Sequence, residues 1–459
     1  MSDQTIYGNL SDGNASAQAA EPDGAPRIAV LDILRGIAIL AILFMNINDM
    51  GGSLWASFSD VRHFGWTRAD RIAWWLREVI ANGTARCMLE MLFGAGMVIL
   101  TERAAQAAGA RIVMKRYYAR NLLLFGFGLV HIFILLWPGD ILHTYGLAAL
   151  VAFLFRRLRP RLLLTIGLVA AVLQLAGGSY GYVRATQDRA QVAAIEAARA
   201  AGRPVTAADR AVLAKAASAA AKRAKTKAED AAKTAAEDKA RTGSFASWAA
   251  FQWSIIVYFE SHGFELLFVW EAASVMLIGA ALYKLGILQG ARSRAFYVRM
   301  TILGYAIAVP LRMIGAAEQM RFDTAPRTTW ATVEIARMAM TLGHVGLVNL
   351  LVATVVGARL LRPFVAAGRT ALTLYVLQTI LCLWILFPPF GLALYGQFGW
   401  AGLMGIALAV DAVLLWFAIA YSRHFAIAPV EWAWRSLLER RRLPWREPRP
   451  APRVQISPA

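Results

Sequence analysis

Charged residues are scarce in this chain, and cysteines scarcer still. Asp, Glu, Lys and Arg make up 17% of the 459 residues, against about 25% in an ordinary soluble domain. Beside a hydrophobic content of 58%, that shortfall excludes a typical soluble globular fold. The only two cysteines, Cys87 and Cys382, both fall inside apolar runs, which excludes a disulfide framework or a thiolate zinc cluster. No H-x-x-x-H, H-x-H or H-E-x-x-H spacing occurs among the six histidines, so no catalytic metal is expected. No G-x-S-x-G elbow, Walker loop or dinucleotide fingerprint stands in a fitting context. The start, "MSDQTIYGNLSDGNASAQAAEPDGAP", lacks the basic opening and apolar core of a cleavable signal. It reads as a disordered tail.

Long apolar runs are what the chain has in abundance, and about 20 such residues cross a bilayer. The expected fold class is all-α: a polytopic membrane protein of about ten transmembrane helices with an extramembrane helical hairpin insert. The spans are expected near 28–48, 84–101, 120–137, 141–155, 162–180, 264–283, 297–315, 332–357, 370–388 and 401–422. The domain plan is then a cytoplasmic tail (1–26), a first transmembrane half (27–182), the insert (183–243), a second half (244–423) opening on an interfacial helix, and a basic cytoplasmic tail (424–459). The net charge of +19 would point to nucleic acid in a soluble protein. Here it sits mainly in connections: Arg103, Arg111, Lys115 and Arg116; Arg156, Arg157, Arg159 and Arg161; Lys284, Arg292 and Arg294; Arg359 and Arg362; and Arg435, Arg440, Arg441 and Arg442. All fall on one side of the ten-span plan. The positive-inside rule makes that side the cytoplasm, with both termini there and the "WPGD" turn facing out. The expected localisation is a bacterial inner membrane, crossed many times.

Residues 183–241 break the apolar pattern. They are rich in Ala, Lys and Arg, and 181–245 carries 13 basic and 7 acidic residues, a net +6. "TAAD" at 206–209 resembles a capping box with Asp in place of Glu, which predicts a helical hairpin on the outer face. Two readings stay open for it: a solvated spacer, or a partner-binding or lid element. Residues 245–262, apolar and aromatic, suit an interfacial helix.

Ionisable groups inside membrane helices are costly and usually face a cavity or a partner. Asp32, Arg35, Arg120 and Arg369 cluster at the cytoplasmic ends. Asp32 and Arg35 share one helix face; they are read either as a structural pair or as part of a basic mouth for the phosphates of a nucleotide-like donor. Toward the outer ends lie Asn46, Asp49, His63, Glu90, His131, Asp140, His143, Glu265, Glu271 and Arg312. Glu334, Arg337, Thr341 and His344 form one helical stripe. Arg86 lies four residues before Glu90, on the same face. So many polar groups across several spans predict a polar cavity open to the outside.

Five ordered segments carry a resemblance: "LDILRGIAILAILFMNI" (31–47), "LFGAGM" (92–97), "GLVHIFILLWPGDILHTYGL" (128–147), "GRTALTLYVLQTIL" (368–381) and "APVEWAWRSL" (428–437). Together they resemble the YeiB-type family of bacterial inner-membrane proteins, over most of the chain outside the insert and both tails. That family is related to transmembrane acyltransferases such as heparan-α-glucosaminide N-acetyltransferase, which move an acyl group from a cytoplasmic acyl-CoA to a sugar-type acceptor on the far side. The resemblance implies a catalytic role for His63 in "HFGW" and a supporting one for Asn46 in "FMN". His131 and Asp140 match the YeiB-type pattern, and Arg86 matches an arginine of it. His143 does not match a usual family residue. Glu90, Leu374 and Ala428 depart from the pattern, and Glu90 adds a carboxylate at the expected cavity.

The leading expectation is therefore a membrane-embedded acyltransferase. Acyl-CoA or acetyl-CoA is the donor, and a hydroxyl or amine on a small molecule, glycan or lipid is the acceptor. His63 or His131 is the general base, Asp140 orients the imidazole, and Asn46 faces the oxyanion, with His143 in support. Arg35, Arg120 and Arg369, beside Asp32, hold the donor; Glu90, Arg86, Glu334, Arg337 and His344 line the acceptor site. The expected partners are the lipid bilayer and the acceptor, not nucleic acid, with a homo-oligomer left open. The alternative is a transporter or channel for a small polar or anionic solute.

Overall fold

The computed structural model describes residues 29–108 and 110–446, with side chains given outside 102–110. The expected tail at 1–26, the side chain of Arg103 and the tail residues 447–459 lie outside the described residues. Helices follow in the order α1 (Ala29–Ala41), α2 (Leu43–Gly51), α3 (Leu54–Ser59), α4 (Arg68–Leu76), α5 (Thr84–Ala108), α6 (Ala110–Phe133), α7 (Leu142–Phe153), α8 (Pro160–Ala200), α9 (Ala207–Arg241), α10 (Phe245–Ser261), α11 (Phe264–Lys284), α12 (Arg294–Gln319), α13 (Thr329–Val352), α14 (Val355–Arg369), α15 (Ala371–Thr379), α16 (Trp400–Ser422) and α17 (Pro429–Leu438). Two π-helical stretches, Arg77–Ala81 and Ile380–Leu386, continue α4 and α15. No strand occurs among the described residues.

The chain is an all-α, multi-pass membrane protein. Among the described residues, seven stretches are long and apolar enough to cross a bilayer: Ala29–Gly51, Arg68–Thr101, Pro160–Ala200, Phe264–Lys284, Arg294–Gln319, Thr329–Val352 and Trp400–Ser422. An eighth forms if Val355–Arg369 and Ala371–Leu386, which meet at 77°, count as one broken span. The sequence pointed to about ten. The two others coincide with α6, whose early turns carry Arg111, Lys115, Arg116 and Arg120, and α7, whose 12 residues reach only about 18 Å. The basic stretch around Arg359 and Arg362, read above as a connection, is the helix α14, laid along α1.

Glycines set the closest helix crossings. A Cβ on Gly36 of α1 would sit 2.1 Å from the carbonyl oxygen of Phe364, and one on Gly368 only 1.9 Å from that of Asp32. These two conserve a backbone-to-backbone approach of α1 and α14 that any side chain would prevent. Gly94 of α5 and Gly279 of α11 do the same, facing Met276 O at 1.8 Å and Met91 O at 2.1 Å. Gly96, two residues along, has nothing within 4 Å.

Composition changes sharply near residue 183, but the helix does not. α8 opens with Pro160 in its first turn, where a missing N–H costs nothing, and runs unbroken through 41 residues from apolar span into polar arm. α9 starts at a closed capping box, Asp209 N–H donating to Thr206 Oγ1 and Thr206 N–H to Asp209 Oδ2. The far end of α9 is clamped to the end of the first span. Glu237, fully buried, accepts from Ser53 Oγ (2.6 Å), Leu54 N (2.9 Å) and Trp55 N (3.1 Å), so it satisfies the free N–H groups opening α3. Arg241, 2% exposed, donates to the carbonyls of Asp49, Gly52 and Met50 and pairs with Glu237 at 3.1 Å.

Gly94→Ala is expected to wedge α5 from α11 and cost about 1–3 kcal/mol by overpacking, read as a lower melting temperature in detergent. Gly96→Ala on the same helix is expected to melt like the wild type. Arg241→Ala strips a buried pair of one partner, a change that costs about 3–5 kcal/mol. Limited proteolysis is expected to cut 201–241 in that variant under conditions that leave the wild-type hairpin whole.

Candidate functional site

The connection after α6 is short, apolar and tightly pinned. Gln252 donates to Leu136 O at 3.0 Å, Trp384 to Leu135 O at 2.8 Å, and Ile141 N–H to the Tyr375 hydroxyl at 3.2 Å. Gly128 of α6 lets the start of α7 approach so closely that a Cβ there would lie 2.3 Å from His143 N. This close crossing brings His131, at the end of α6, against the Asp140 carboxylate, with His143 on its other side.

Asp140 is the hub. His131 Nδ1 lies 2.7 Å from Asp140 Oδ1, while His143 Nδ1 lies 2.9 Å from Asp140 Oδ2 and the His143 backbone N–H donates to that same oxygen at 3.0 Å. His131 Nε2 meets Thr379 Oγ1 at 2.9 Å, and His143 Nε2 meets Glu265 Oε2 at 2.9 Å. The result is one buried relay, Thr379–His131–Asp140–His143–Glu265, drawing on α15, α6, the connection, α7 and α11. Burial opposes ionisation of the Asp140 carboxyl in the connection, but the hydrogen bonds from His131 and then His143 prevail and hold it down at about 2. Asp140 is thus a permanent anion between two imidazoles.

Two cavities flank the relay. The larger, about 520 Å³, is lined by Asn46, Asp49, Arg77, Glu78, Arg86, Glu90, Asp140, His143, Tyr145, Glu260, Glu265, Arg312, Glu334 and Arg337 among others. The smaller, about 210 Å³, is lined by Asp32, Arg35, Arg120, Arg369, Glu431 and Arg435, with an apolar throat of Leu89, Phe93 and Leu124. Among the described residues, Ile141 and Tyr145 alone line both. Both π-helical stretches touch this region, one supplying Arg77 and Glu78 to the larger cavity and the other beginning just after Thr379. Such bulges are frequent at functional sites.

In the larger cavity, Arg86 Nη2 bonds Glu271 at 2.6 Å and Arg86 Nε lies 3.6 Å from Glu90. Arg337 bonds Glu334 at 2.5 Å, pairs with Glu271, and lies 3.8 Å from Glu90 Oε2. Glu90 Oε2 and Arg337 Nη1 are buried without hydrogen-bond partners. In the smaller cavity, Arg35 bonds Asp32 at 2.7 Å, so a local pair and a cavity wall are the same residues. Arg120 stacks 4.5 Å over Trp434. Glu431 of α17 accepts from Leu372 N and Thr373 N at 2.7 and 3.2 Å and caps α15.

The geometry therefore gathers Asn46, Arg86, Glu90, Asp140, His143, Glu334 and Arg337 around one cavity, and Asp32, Arg35, Arg120 and Arg369 around the other. Three residues given a site role by sequence, His131, His344 and His63, line neither, and nor do Glu271 and Thr341. His131 is 1% exposed and spends both ring nitrogens on Asp140 and Thr379. His344 is held between Tyr305 and the carbonyl of Ile80. His63 lies outside both cavities, its Nε2 2.8 Å from Asp238 of the hairpin. Conversely, Thr379, Tyr375 and Tyr145 lie inside segments that carry the resemblance but have no role in the sequence reading, and Glu265 stood out only as one carboxylate among many. What unites them is packing over separations of up to 248 residues, which no local pattern encodes.

A family described as "Protein of unknown function (DUF418)" matches residues 282–441, the part that holds Arg337, Arg369, Thr379 and Glu431. The "Uncharacterized protein YxaH" of Bacillus subtilis is 29% identical over 430 residues, 89% of this chain and 94% of its own length. The "Uncharacterized protein YeiB" of Escherichia coli is 26% identical over 427 residues, 90% of this chain and 96% of its own. No solved structure matches the chain. Both relatives match along nearly the whole chain, and the family match covers its C-terminal third: the chain is similar to YeiB-type proteins over nearly all of their length.

Proposed function

We propose that the protein is a membrane-embedded acyltransferase that takes an acyl group from a cytoplasmic acyl-CoA and passes it to a hydroxyl or amine of a glycan- or lipid-type acceptor on the outer side. The supporting observation is the pair of cavities, the smaller rich in arginine and the larger richer in carboxylates, that share Ile141 and Tyr145 among the described residues, directly beside the Asp140 relay. In this reading the membrane is a bacterial inner membrane. Arg156, Arg157, Arg159, Arg161, Lys284, Arg292 and Arg294 mark the cytoplasmic face, which is then the side of the smaller cavity and of both termini.

Arg35, Arg120, Arg369 and Arg435 suit the donor's phosphates, because guanidinium groups pair with them bidentately. The apolar throat of Leu89, Phe93 and Leu124 suits the slender arm that carries the thioester. The base is His143, which unlike His131 and His63 faces the larger cavity. Asp140 holds its Nδ1, leaving Nε2 to take a proton. Glu265 now bonds that nitrogen; as an incoming acceptor replaces it, Glu265 withdraws as the carboxylic acid with the Nε2 proton, and the nitrogen is left with its lone pair. The acceptor O–H or N–H then yields its proton to His143 Nε2 as its heteroatom bonds the thioester carbon. The C–S bond breaks, the coenzyme A thiolate leaves toward the smaller cavity, and Asn46 and Arg86 are the donors available to the oxyanion. Asp140 stays ionised throughout and positions His143, while His131 and Thr379 position Asp140.

One feature favours a second reading, transport of a small anion: the 77° break between α14 and α15 beside the smaller cavity, since broken helices often line transport sites. Purified protein with labelled acetyl-CoA separates the two. His143→Ala is expected to bind acetyl-CoA as the wild type does but to transfer acetyl about 10²–10⁴-fold more slowly, the usual contribution of a general base. Arg369→Ala is expected to weaken donor binding at least about tenfold, and His63→Ala to leave transfer within about twofold. Failure of the wild type to bind acetyl-CoA, together with uptake of a labelled anion into proteoliposomes, would establish the transport reading instead.

A further inference from the structure

The two cavities approach from opposite ends of the helix bundle, and two side chains separate them. They are held in different ways. Ile141 is fixed through its backbone: its N–H donates to the Tyr375 hydroxyl at 3.2 Å, and that hydroxyl reaches Gly139 O at 3.4 Å. Tyr145 is held by its tip. Its hydroxyl donates to Arg86 O at 3.1 Å and lies 3.5 Å from Glu90 Oε1. Its ring meets Phe93 edge-on at 5.1 Å, and Phe93 belongs to the throat of the smaller cavity.

The backbone beneath Tyr145 cannot move far. A Cβ on Gly146 would lie 2.9 Å from Asn121 O, and Gly128 clasps His143 one turn earlier. α7 is thus locked against α6 on both sides of the tyrosine. The side chain itself is fully buried and lines both cavities. A change of its rotamer with the helix held still is a motion far cheaper than shifting packed helices.

We propose that Tyr145 is the gate between the two cavities: its ring is the seal and its hydroxyl is the latch. The latch sits on α5, next to Glu90 and Arg86. Glu90 Oε2 and Arg337 Nη1, 3.8 Å apart, are buried and make no hydrogen bond, and both residues line the larger cavity, so a polar ligand has hydrogen bonds to make there. A ligand that engages the Glu90 carboxylate competes with the Tyr145 hydroxyl for it and loosens the latch, leaving the hydroxyl only the Arg86 carbonyl. Opening is then tied to occupancy of the larger cavity, and a membrane protein with two water-facing cavities stays sealed when that cavity is empty. That the gate admits a thioester-bearing arm rests on the acyl-transfer reading; that it seals does not.

The test uses the full chain in liposomes that hold an iodide-quenched fluorophore, with iodide added outside and neither donor nor acceptor present. Wild-type vesicles are expected to quench no faster than protein-free ones. Tyr145→Ala is expected to quench at least tenfold faster, and Tyr145→Phe, which keeps the ring and loses the latch, to fall between. Leu100→Ala, which enlarges the smaller cavity alone, is expected to stay tight. If the alanine variant reconstitutes poorly, the phenylalanine variant carries the comparison. Vesicles of either folded Tyr145 variant as tight as wild type would overturn the gate, as would a wild type that already leaks. A leak in the variants without acetyl transfer by the wild type would keep the gate and remove the acyl-transfer reading. Transfer by the wild type with no leak in either variant would do the reverse.

Discussion

One buried carboxylate organises this molecule. Asp140 lies at the end of an apolar hairpin, side chain fully buried, where an unpaired charge would be expensive. It is tolerated because both oxygens are engaged, one by His131 and the other by the ring and backbone of His143. Each partner then needs its own second contact, which brings in Thr379 from α15 and Glu265 from α11. A single charge thus ties together helices from both halves of the chain. Removing it would orphan two histidines at once, so the site and the fold share their keystone.

The same logic runs outward. Arg86 and Arg337 bind three carboxylates, Glu90, Glu271 and Glu334, across α5, α11 and α13. The network is not closed by hydrogen bonds, because Glu90 Oε2 and Arg337 Nη1 face each other at 3.8 Å and make none. Polar groups that exist only to hold helices together tend to be fully satisfied. A buried network with open valences beside a cavity of about 520 Å³ has the character of a binding surface rather than of structural glue.

Much of the fold was legible in the sequence, because apolar run length and loop charge are local properties. The places where that reading stopped are informative. A change of composition near 183 was taken for an element boundary, yet Ala-rich polar sequence propagates a helix as well as an apolar one does, and α8 continues. The arginines at 359 and 362 marked a cytoplasmic connection, but Gly36 and Gly368 let that segment lie as α14 on α1. The site divides along the same line. Groups whose partners are near in sequence, such as Asp140 with His131 and His143, could be found by spacing. Glu265, Thr379 and Tyr375 could not, since only tertiary packing brings them to the relay.

The order of the histidines shows what geometry adds to resemblance. A motif likeness pointed to His63 as the base, with His131 beside it and His143 in support. A base, however, must present a nitrogen to the space where the acceptor sits. His63 presents its nitrogen to Asp238, and His131 has both nitrogens committed in a site 1% exposed. His143 alone of the three lines a cavity, with one nitrogen held by Asp140 and the other by Glu265. His63 then acquires a different meaning. Together with Tyr395, which also bonds Asp238, and with Glu237 and Arg241, it fastens the long hairpin to the rim formed by residues 49–55. Asp49 and Leu54 on that rim also line the larger cavity, so the insert is coupled to the site through its wall, and the histidine outside the cavity serves the frame that shapes it.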